Sequence, residues 1–362
     1  MLNSRPEPIR VVVIDDTPAV RELLVEILQN SEGVQVVGVG SDGLDAIRLA
    51  KRLRPDVMTM DVVMPRMDGL EATRHIMRDA PTRIVIVTAG LMRAEEDLTF
   101  LALSAGALTV IGRPGVADKE TCDRVIETVR LMAGVPVVHH WDRTRREKAE
   151  PRKVSPTPPL FEEGDEGAHV QLIGIAASTG GPGTLAKVLG PLPADFPIPI
   201  LIVQHITKGF ATGLAEWLNT GTALQVSLAG HGVRPEAGSV LLAPDDYHLQ
   251  VNARGMIELS KEEPYRGLRP SANFLFRSLA RAYGPRAVGV VLTGMGDDGA
   301  EGLTLLRNAG GLTVAQDEVT CVVYGMPQEA VRRDAVARQL SPSQIAVTLG
   351  QLAQQKKGMY HG

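Results

Sequence analysis

Cysteine is almost absent. The 362 residues hold only Cys122 and Cys321, too few for a disulfide framework or a cysteine metal site, and a count that fits a reducing compartment. Positive charge is not in surplus either. Lys and Arg number 38 against 42 Asp and Glu, a formal charge of −4, so no chain-wide basic field exists to neutralise a phosphate backbone, and nucleic acid is not an expected partner. Long apolar runs are missing as well. None approaches the roughly 18 residues of a membrane span, and the first, Val11 to Ile14, meets Asp15 and Asp16 at once, short of a signal-peptide core. The expected address is the cytoplasm, for a chain that is not itself a membrane protein. No repeat of fixed period is visible. Apolar residues make up 44% and charged residues 22%, which excludes wholesale disorder and collagen. At roughly 150 residues per domain, the length accommodates about two domains.

From Arg10 to about Ala133, short β-branched runs alternate with longer helical patterns. The runs are Val11 to Ile14, Val34 to Val39, Asp56 to Met60, Arg83 to Thr88 and Leu108 to Ile111. Five strands and five helices in this rhythm predict a parallel sheet with helices on both faces. Thr17 before Pro18 reads as a hydroxyl N-cap followed by proline at the first helical position. The rhythm stops between Trp141 and His169, where a charged stretch gives way to Pro151, Pro156, Pro158 and Pro159 and then to Glu162, Glu163, Asp165 and Glu166, the composition of an exposed linker. It resumes at Val170, with strands expected at Gln171 to Ala176, Ile198 to Gln204, Leu224 to Leu228, Val240 to Ala243, Ala287 to Leu292 and Leu312 to Ala315, and helices at Gly209 to Asn219, Ser271 to Tyr283 and Ala300 to Ala309. The predicted class is α/β: two doubly wound, mostly parallel-sheet domains, flavodoxin-like over residues 1–137 and Rossmann-like over 169–350. A linker over 138–168 joins them, and a polar tail closes the chain at 351–362.

In doubly wound sheets, ligands bind beyond the carboxyl ends of the strands, and carboxylates crowd such ends in the first domain. Asp15 and Asp16 end the first strand and Asp61 ends the third. A single Asp there often does no more than cap the next helix. Three at adjacent ends repel one another unless a cation joins them, and Mg²⁺, which accepts one or two carboxylates with water and phosphate oxygens, suits the set. Thr88, ending the fourth strand, adds a hydroxyl.

The second domain opens with Gly174-Ile175-Ala176-Ala177-Ser178-Thr179-Gly180-Gly181-Pro182-Gly183, a serine at a strand end before a glycine turn and a helix. A dinucleotide fingerprint fails here: Ala176 fills the second glycine position, and the next strand ends Val203-Gln204-His205 with no acid for a ribose. A nucleophile elbow matches loosely, Ala176 replacing its first glycine. Serine needs a base, usually a histidine oriented by a carboxylate, and both follow in His205 and in Asp298 of Leu292-Thr293-Gly294-Met295-Gly296-Asp297-Asp298-Gly299. Taken alone, His205 reads equally as a backbone-satisfied histidine and the two aspartates as helix caps; their joint placement favours catalysis. The Gly294-Met295-Gly296 turn offers backbone amides of the kind that meet an oxyanion.

Two resemblances follow from these residues. Asp15-Asp16, the segment Asp61-Val62-Val63-Met64-Pro65-Arg66-Met67-Asp68-Gly69 and Thr88-Ala89 resemble response-regulator receiver domains. That resemblance implies Asp61 as phosphoacceptor, Asp15, Asp16 and Asp61 around Mg²⁺, and Thr88 and Arg113 in the phosphoryl pocket, with a histidine kinase as phosphodonor. Two positions depart from the pattern: Arg113-Pro114 stands where lysine precedes the proline, and Val110 where an aromatic is usual. Residues from about 170 to 350 resemble the catalytic domain of chemotaxis protein-glutamate methylesterases through Ala177 to Pro182, Val203 to His205, Leu242 to Pro244, Arg269 to Ser271 and Leu292 to Gly299. The resemblance implies Ser178 as nucleophile, His205 as general base and acid, Asp298 as its orienting carboxylate, the Met295 amide as oxyanion donor and Thr179 beside them, with no cofactor for this step. It also implies methylated glutamates on chemoreceptor cytoplasmic helices as substrate, together with glutamine deamidation there. The alternative from another class is a signalling adaptor, a receiver joined to an inactive hydrolase fold and acting through phosphorylation-dependent contacts.

Overall fold

A computed structural model describes residues 7–88, 99–103, 105–115, 118–135 and 170–358. The chain divides into two compact units, Met1–Lys153 and Val154–Gly362. The linker expected at 138–168 lies outside the described residues.

In the first unit the order is β1 (Ile9–Ile14), α1 (Pro18–Gln29), β2 (Val34–Gly40), α2 (Gly43–Leu53), β3 (Val57–Met60), α3 (Gly69–Asp79), β4 (Arg83–Thr88), β5 (Thr109–Gly112) and α4 (Lys119–Ala133). The remaining expected helix is described only at residues 99–103 and 105. The five strands pair in parallel in the order β2-β1-β3-β4-β5. Val11 to Ile14 and Val57 to Met60 are buried throughout, the unbroken pattern of strands covered on both faces. Asp42 and Asp68 cap α2 and α3, accepting from the Asp45 and Glu71 amides at 2.9 and 2.7 Å. Thr17 behaves differently from expectation. It occupies the N-cap of α1 but makes no side-chain cap bond; its hydroxyl donates to Asp16 Oδ1 at 3.1 Å.

The second unit runs β6 (Leu172–Ala177), α5 (Gly181–Leu189), β7 (Ile200–Gln204), α6 (Ala211–Thr220), β8 (Gln225–Leu228), β9 (Ser239–Leu242), β10 (His248–Val251), β11 (Ile257–Ser260), α7 (Ala272–Ala282), β12 (Ala287–Val291), α8 (Ala300–Asn308), β13 (Leu312–Gln316), α9 (Met326–Arg332), β14 (Arg338–Leu340) and α10 (Pro342–Gly358). Seven strands form a parallel sheet in the order β14-β13-β12-β6-β7-β9-β8, and β10 and β11 form a separate antiparallel pair. That pair, β14 and α9 go beyond the elements read from the sequence. The expected polar tail is a further correction at its start: α10 continues to Gly358, and Leu352 and Ala353 are buried, so the first residues of that stretch pack as part of the domain.

Close helix packing on the sheet depends on two glycines facing each other across β6 and β12, Gly174 and Gly289. A methyl group at the first would lie 2.5 Å from Leu279 of α7, and at the second 2.5 Å from Leu303 of α8. Without side chains there, α7 and α8 settle onto the sheet, with Phe276 fully buried between them and the strands. Truncating such a phenylalanine to alanine costs about 3–5 kcal/mol. This docking fixes where the N-terminus of α7 points.

Candidate functional site

Strand β6 lies between β12 and β7, and Ser178 is the first residue beyond it. The Ser178 amide donates to Thr293 O at 3.0 Å, and the Ser178 carbonyl accepts from Gly181 N at 2.8 Å. The latter bond closes a turn whose third residue, Gly180, has φ 76° and ψ 0°. That is the conformation a type II turn requires and glycine alone adopts without strain. His205, the first residue beyond β7, donates its amide to Ala177 O at 2.9 Å. Parallel pairing thus carries the two residues to the same end of neighbouring strands.

Asp298 arrives from the other side, in the loop between β12 and α8. It does not cap α8, whose N-cap is Gly299. It caps α7 instead: Oδ2 accepts from Ala272 N at 2.6 Å, and Oδ1 from Asn273 N at 3.2 Å, Asn273 Nδ2 at 2.9 Å and Ser271 Oγ at 2.6 Å. His205 Nε2 then meets Oδ2 at 2.9 Å. Burial opposes the ionised form and is the largest single influence on this carboxyl. The bonds from His205, Ser271 and the helix amide together outweigh it, and Asp298 is held below the ordinary carboxylate range. A buried, fully ionised acid fixed by a helix N-terminus can hold one face of an imidazole in place.

Among the described residues no hydrogen bond joins Ser178 Oγ to the His205 ring. The amides of Thr179 and Met295 likewise donate to no described residue, which leaves them free to meet a developing negative charge. The Thr293 hydroxyl donates to Thr179 O at 2.9 Å and accepts from Val323 N at 2.9 Å, tying the serine turn to the Met295 turn. Asp297 points elsewhere, pairing with the exposed Arg266. Arg269 donates to the carbonyls of Lys261 and Glu262.

In the first unit, Asp61 N bonds to Ile14 O at 2.9 Å, so β1 and β3 bring Asp15, Asp16 and Asp61 together with ligand oxygens within 4.8 Å of one another. Burial pushes Asp61 up to about 7; Arg113 pulls it down and Asp15 pushes it up by lesser amounts. Burial likewise raises Asp15. Arg113 Nη2 stands 2.7 Å from Asp61 Oδ2 and 3.5 Å from Asp15 Oδ2. Yet both of those buried oxygens, and the buried Arg113 Nε, lack an aligned hydrogen bond, so the guanidinium compensates charge without satisfying direction. Orphaned carboxylate oxygens converging in this way fit a hard divalent cation. Thr88, buried at the end of β4, receives the Arg113 amide on its carbonyl at 3.1 Å.

Residues 173–349 match the family model described as CheB methylesterase, and residues 11–124 match the response regulator receiver domain. The "Protein-glutamate methylesterase/protein-glutamine glutaminase 1" of Syntrophus aciditrophicus (strain SB) is 45% identical over 95% of this chain and 98% of its own length. The chain belongs to the protein-glutamate methylesterase family. A Myxococcus xanthus relative in the same family, "Protein-glutamate methylesterase/protein-glutamine glutaminase 4", is 48% identical over 89% of this chain and 90% of its own. The solved catalytic domain of the Thermotoga maritima CheB methylesterase is 35% identical, covering 51% of this chain and 98% of that one, at a TM-score of 0.49. No helix among the described residues of this methylesterase-family chain is long and apolar enough to cross a membrane.

Several residues of the methylesterase-family site were not singled out from the sequence. Ser271 carried a signal, a hydroxyl residue opening an apolar periodic run, but not that its hydroxyl would reach Asp298. Behind it, fully buried His248 accepts from Ser271 N through Nδ1 at 3.1 Å, stacks on Phe274 at 3.7 Å between ring centroids, and lies 3.3 Å from Glu263 O through Nε2. Burial, its largest influence, shifts His248 toward the neutral form. Gln204 ends an apolar strand, where a polar side chain that cannot reach water needs internal partners.

Proposed function

We propose that this chain hydrolyses the γ-methyl esters of glutamates on chemoreceptor cytoplasmic helices, and deamidates glutamines there, through an acyl-enzyme formed on Ser178. The observation that carries the reading is the 2.9 Å bond from His205 to the buried, helix-capping Asp298, one strand end away from Ser178. Asp298 accepts a hydrogen bond from Nε2–H, which leaves Nδ1 as the basic nitrogen of the His205 ring. Nδ1 receives the hydroxyl proton as Ser178 Oγ attacks the ester carbonyl. The carbonyl oxygen becomes an oxyanion and turns to the free Met295 amide, with Thr179 beside it. Collapse expels methanol, which carries the proton back from Nδ1; from a glutamine the leaving group is ammonia. Water activated by the same nitrogen then attacks the acyl-enzyme, releasing the glutamate carboxylate and restoring Ser178. Apo contacts between serine and base are often long and tighten when substrate binds, which accommodates the unbonded Ser178 hydroxyl. A signalling adaptor would need neither the serine turn nor the ionised carboxylate behind His205. Treatment with a fluorophosphonate should add one label, on Ser178 by peptide mapping. A chain that stays unlabelled, or is labelled elsewhere, overturns the reading.

The receiver half supplies regulation. Asp61 accepts a phosphoryl group from a histidine kinase, with Asp15, Asp16 and Asp61 holding Mg²⁺ and Thr88 and Arg113 at the phosphoryl pocket; the ion, when bound, offsets the charge of the incoming group. Arg113 is a planar fork and not a point charge, and Val110, buried in β5, has neither ring nor hydroxyl with which to favour one state over the other. Wild type should therefore be activated by beryllofluoride and Mg²⁺ to a smaller degree than an Arg113→Lys, Val110→Phe double variant, measured as methyl-ester hydrolysis with and without the phosphate mimic. Equal activation of the two proteins would make both departures neutral.

A further inference from the structure

Gln204, the last residue of β7, is buried, and its amide group faces the serine turn. Nε2 donates to Ser178 O at 2.8 Å and to His205 O at 2.8 Å, so both of its hydrogens are committed. One buried side chain thus joins the backbones of the residues read above as nucleophile and base. The rest of the scaffold leaves this bridge a defined task. Ser178 N is held by Thr293 O, Ser178 O also by Gly181 N, and His205 N by Ala177 O. The His205 carbonyl has no other donor among the described residues. Ladder pairing ends at Ala177 and Gln204, so the His205 carbonyl lies just past the reach of the sheet.

The oxygen of the same amide has an unusual position. Gln204 Oε1 is buried without a hydrogen-bond partner, and a methyl group on Gly181 would lie 2.0 Å from it. Gly181 therefore provides room for the Gln204 amide at the start of α5, and the unpaired oxygen is the cost of pointing both N–H bonds at the two carbonyls. Leaving a buried amide oxygen unpaired is unfavourable, which makes an arrangement kept for backbone support alone a poor one. Methionine or leucine would fill the space with no orphaned atom.

We propose that Gln204 is a positioning residue for the acyl transfer, setting the separation of Ser178 and His205, with Gly181 as its structural counterpart. The proposal rests on the reading of Ser178 and His205 as nucleophile and base. With Gln204→Leu the two carbonyls lose their common donor, and Ser178 and His205 drift relative to each other by fractions of an ångström. Misplacement on the order of 1 Å costs about 10²-fold. The expected loss in kcat is therefore roughly 10- to 100-fold, with KM for the methylated substrate nearly unchanged and an equal loss in the rate constant for fluorophosphonate labelling of Ser178. Gly181→Ala should lower the labelling rate in wild type but add markedly less in a Gln204→Ala background, because its two nearest clashes, with the Gln204 amide at 2.0 and 2.8 Å, are then gone and only the 2.9 Å approach to Ala177 Cβ remains.

The experiment measures kcat, KM and the labelling rate in the full chain for wild type, Gln204→Leu, Gly181→Ala, Gln204→Ala and the Gly181→Ala, Gln204→Ala pair, with folding checked by circular dichroism. If Gln204→Leu does not fold, Gln204→Glu, which keeps the shape but reverses the hydrogen-bonding sense of one arm, is judged by the same criteria. Unchanged kcat, a loss carried by KM, or additive effects in the double variant would overturn the proposal. An unlabelled wild type would instead overturn the reading on which it rests.

Discussion

Ser178→Ala is expected to reduce methanol release from a methylated receptor by very roughly 10⁶ in kcat, the scale seen when a serine nucleophile is lost and only binding and oxyanion effects remain. The fold should not notice. Every hydrogen bond that anchors residue 178 runs through its backbone, to Thr293 O, from Gly181 N and from Gln204 Nε2, and alanine keeps all three. The turn conformation that needs glycine falls at Gly180, not at Ser178. Thermal unfolding of the variant should therefore superimpose on wild type while hydrolysis disappears. Methanol release within about tenfold of wild type would remove Ser178 from its assigned role.

Asp297→Asn and Asp298→Asn are expected to differ by orders of magnitude although the residues are adjacent. Asp298 accepts from five donors: the Ser271 hydroxyl, the Ala272 and Asn273 amides, the Asn273 side chain and His205. An asparagine there must turn a donating NH₂ toward groups that are themselves donors. It can no longer fix the His205 tautomer or stabilise its cation, and comparable substitutions lower kcat by about 10⁴. Among the described residues the Asp297 side chain pairs with an exposed arginine alone, a pairing that solvent screens. The amide preserves its size, so Asp297→Asn should retain most of the activity. Parallel kcat measurements on the two variants decide the point, and equal losses, or a larger loss at Asp297, would reassign the carboxylate.

Much of the architecture was readable because buried parallel strands leave unbroken apolar runs. The runs expected at Gln171 to Ala176, Ile198 to Gln204 and Arg83 to Thr88 matched observed strands to within a residue or two. The spatial order of strands was not, since nothing local in Leu172 to Ala177 or Ala287 to Val291 says that they will pair. The hairpin at His248–Val251 and Ile257–Ser260 escaped because four-residue strands carrying Gln250 and Glu258 show little periodicity. Seven-residue α9 is too short for a helical stripe. In the candidate site, Ser178, His205 and Asp298 could be picked out from strand ends and motif segments. That Asp298 would cap a helix beginning at Ala272, 26 positions earlier, could not, because this contact is made by the docking of α7 over Gly174 and Gly289. Thr17 shows the same limit on a small scale: its identity suits a cap, but its side chain turns to Asp16 and makes no cap bond.

The strands that carry Ser178, His205 and Asp298 are β6, β7 and β12, the central three of the seven. Proteins open locally from their least protected margins, and the energy needed to expose a segment rises toward the middle of a sheet. Transient release of β8 or β14 at the margins leaves the three inner strands paired, with their turns still suspended from them. The ends that hold Ser178, His205 and Asp298 are therefore insulated from fraying at the margins, and in a partly opened molecule they stay on paired strands until the sheet as a whole gives way.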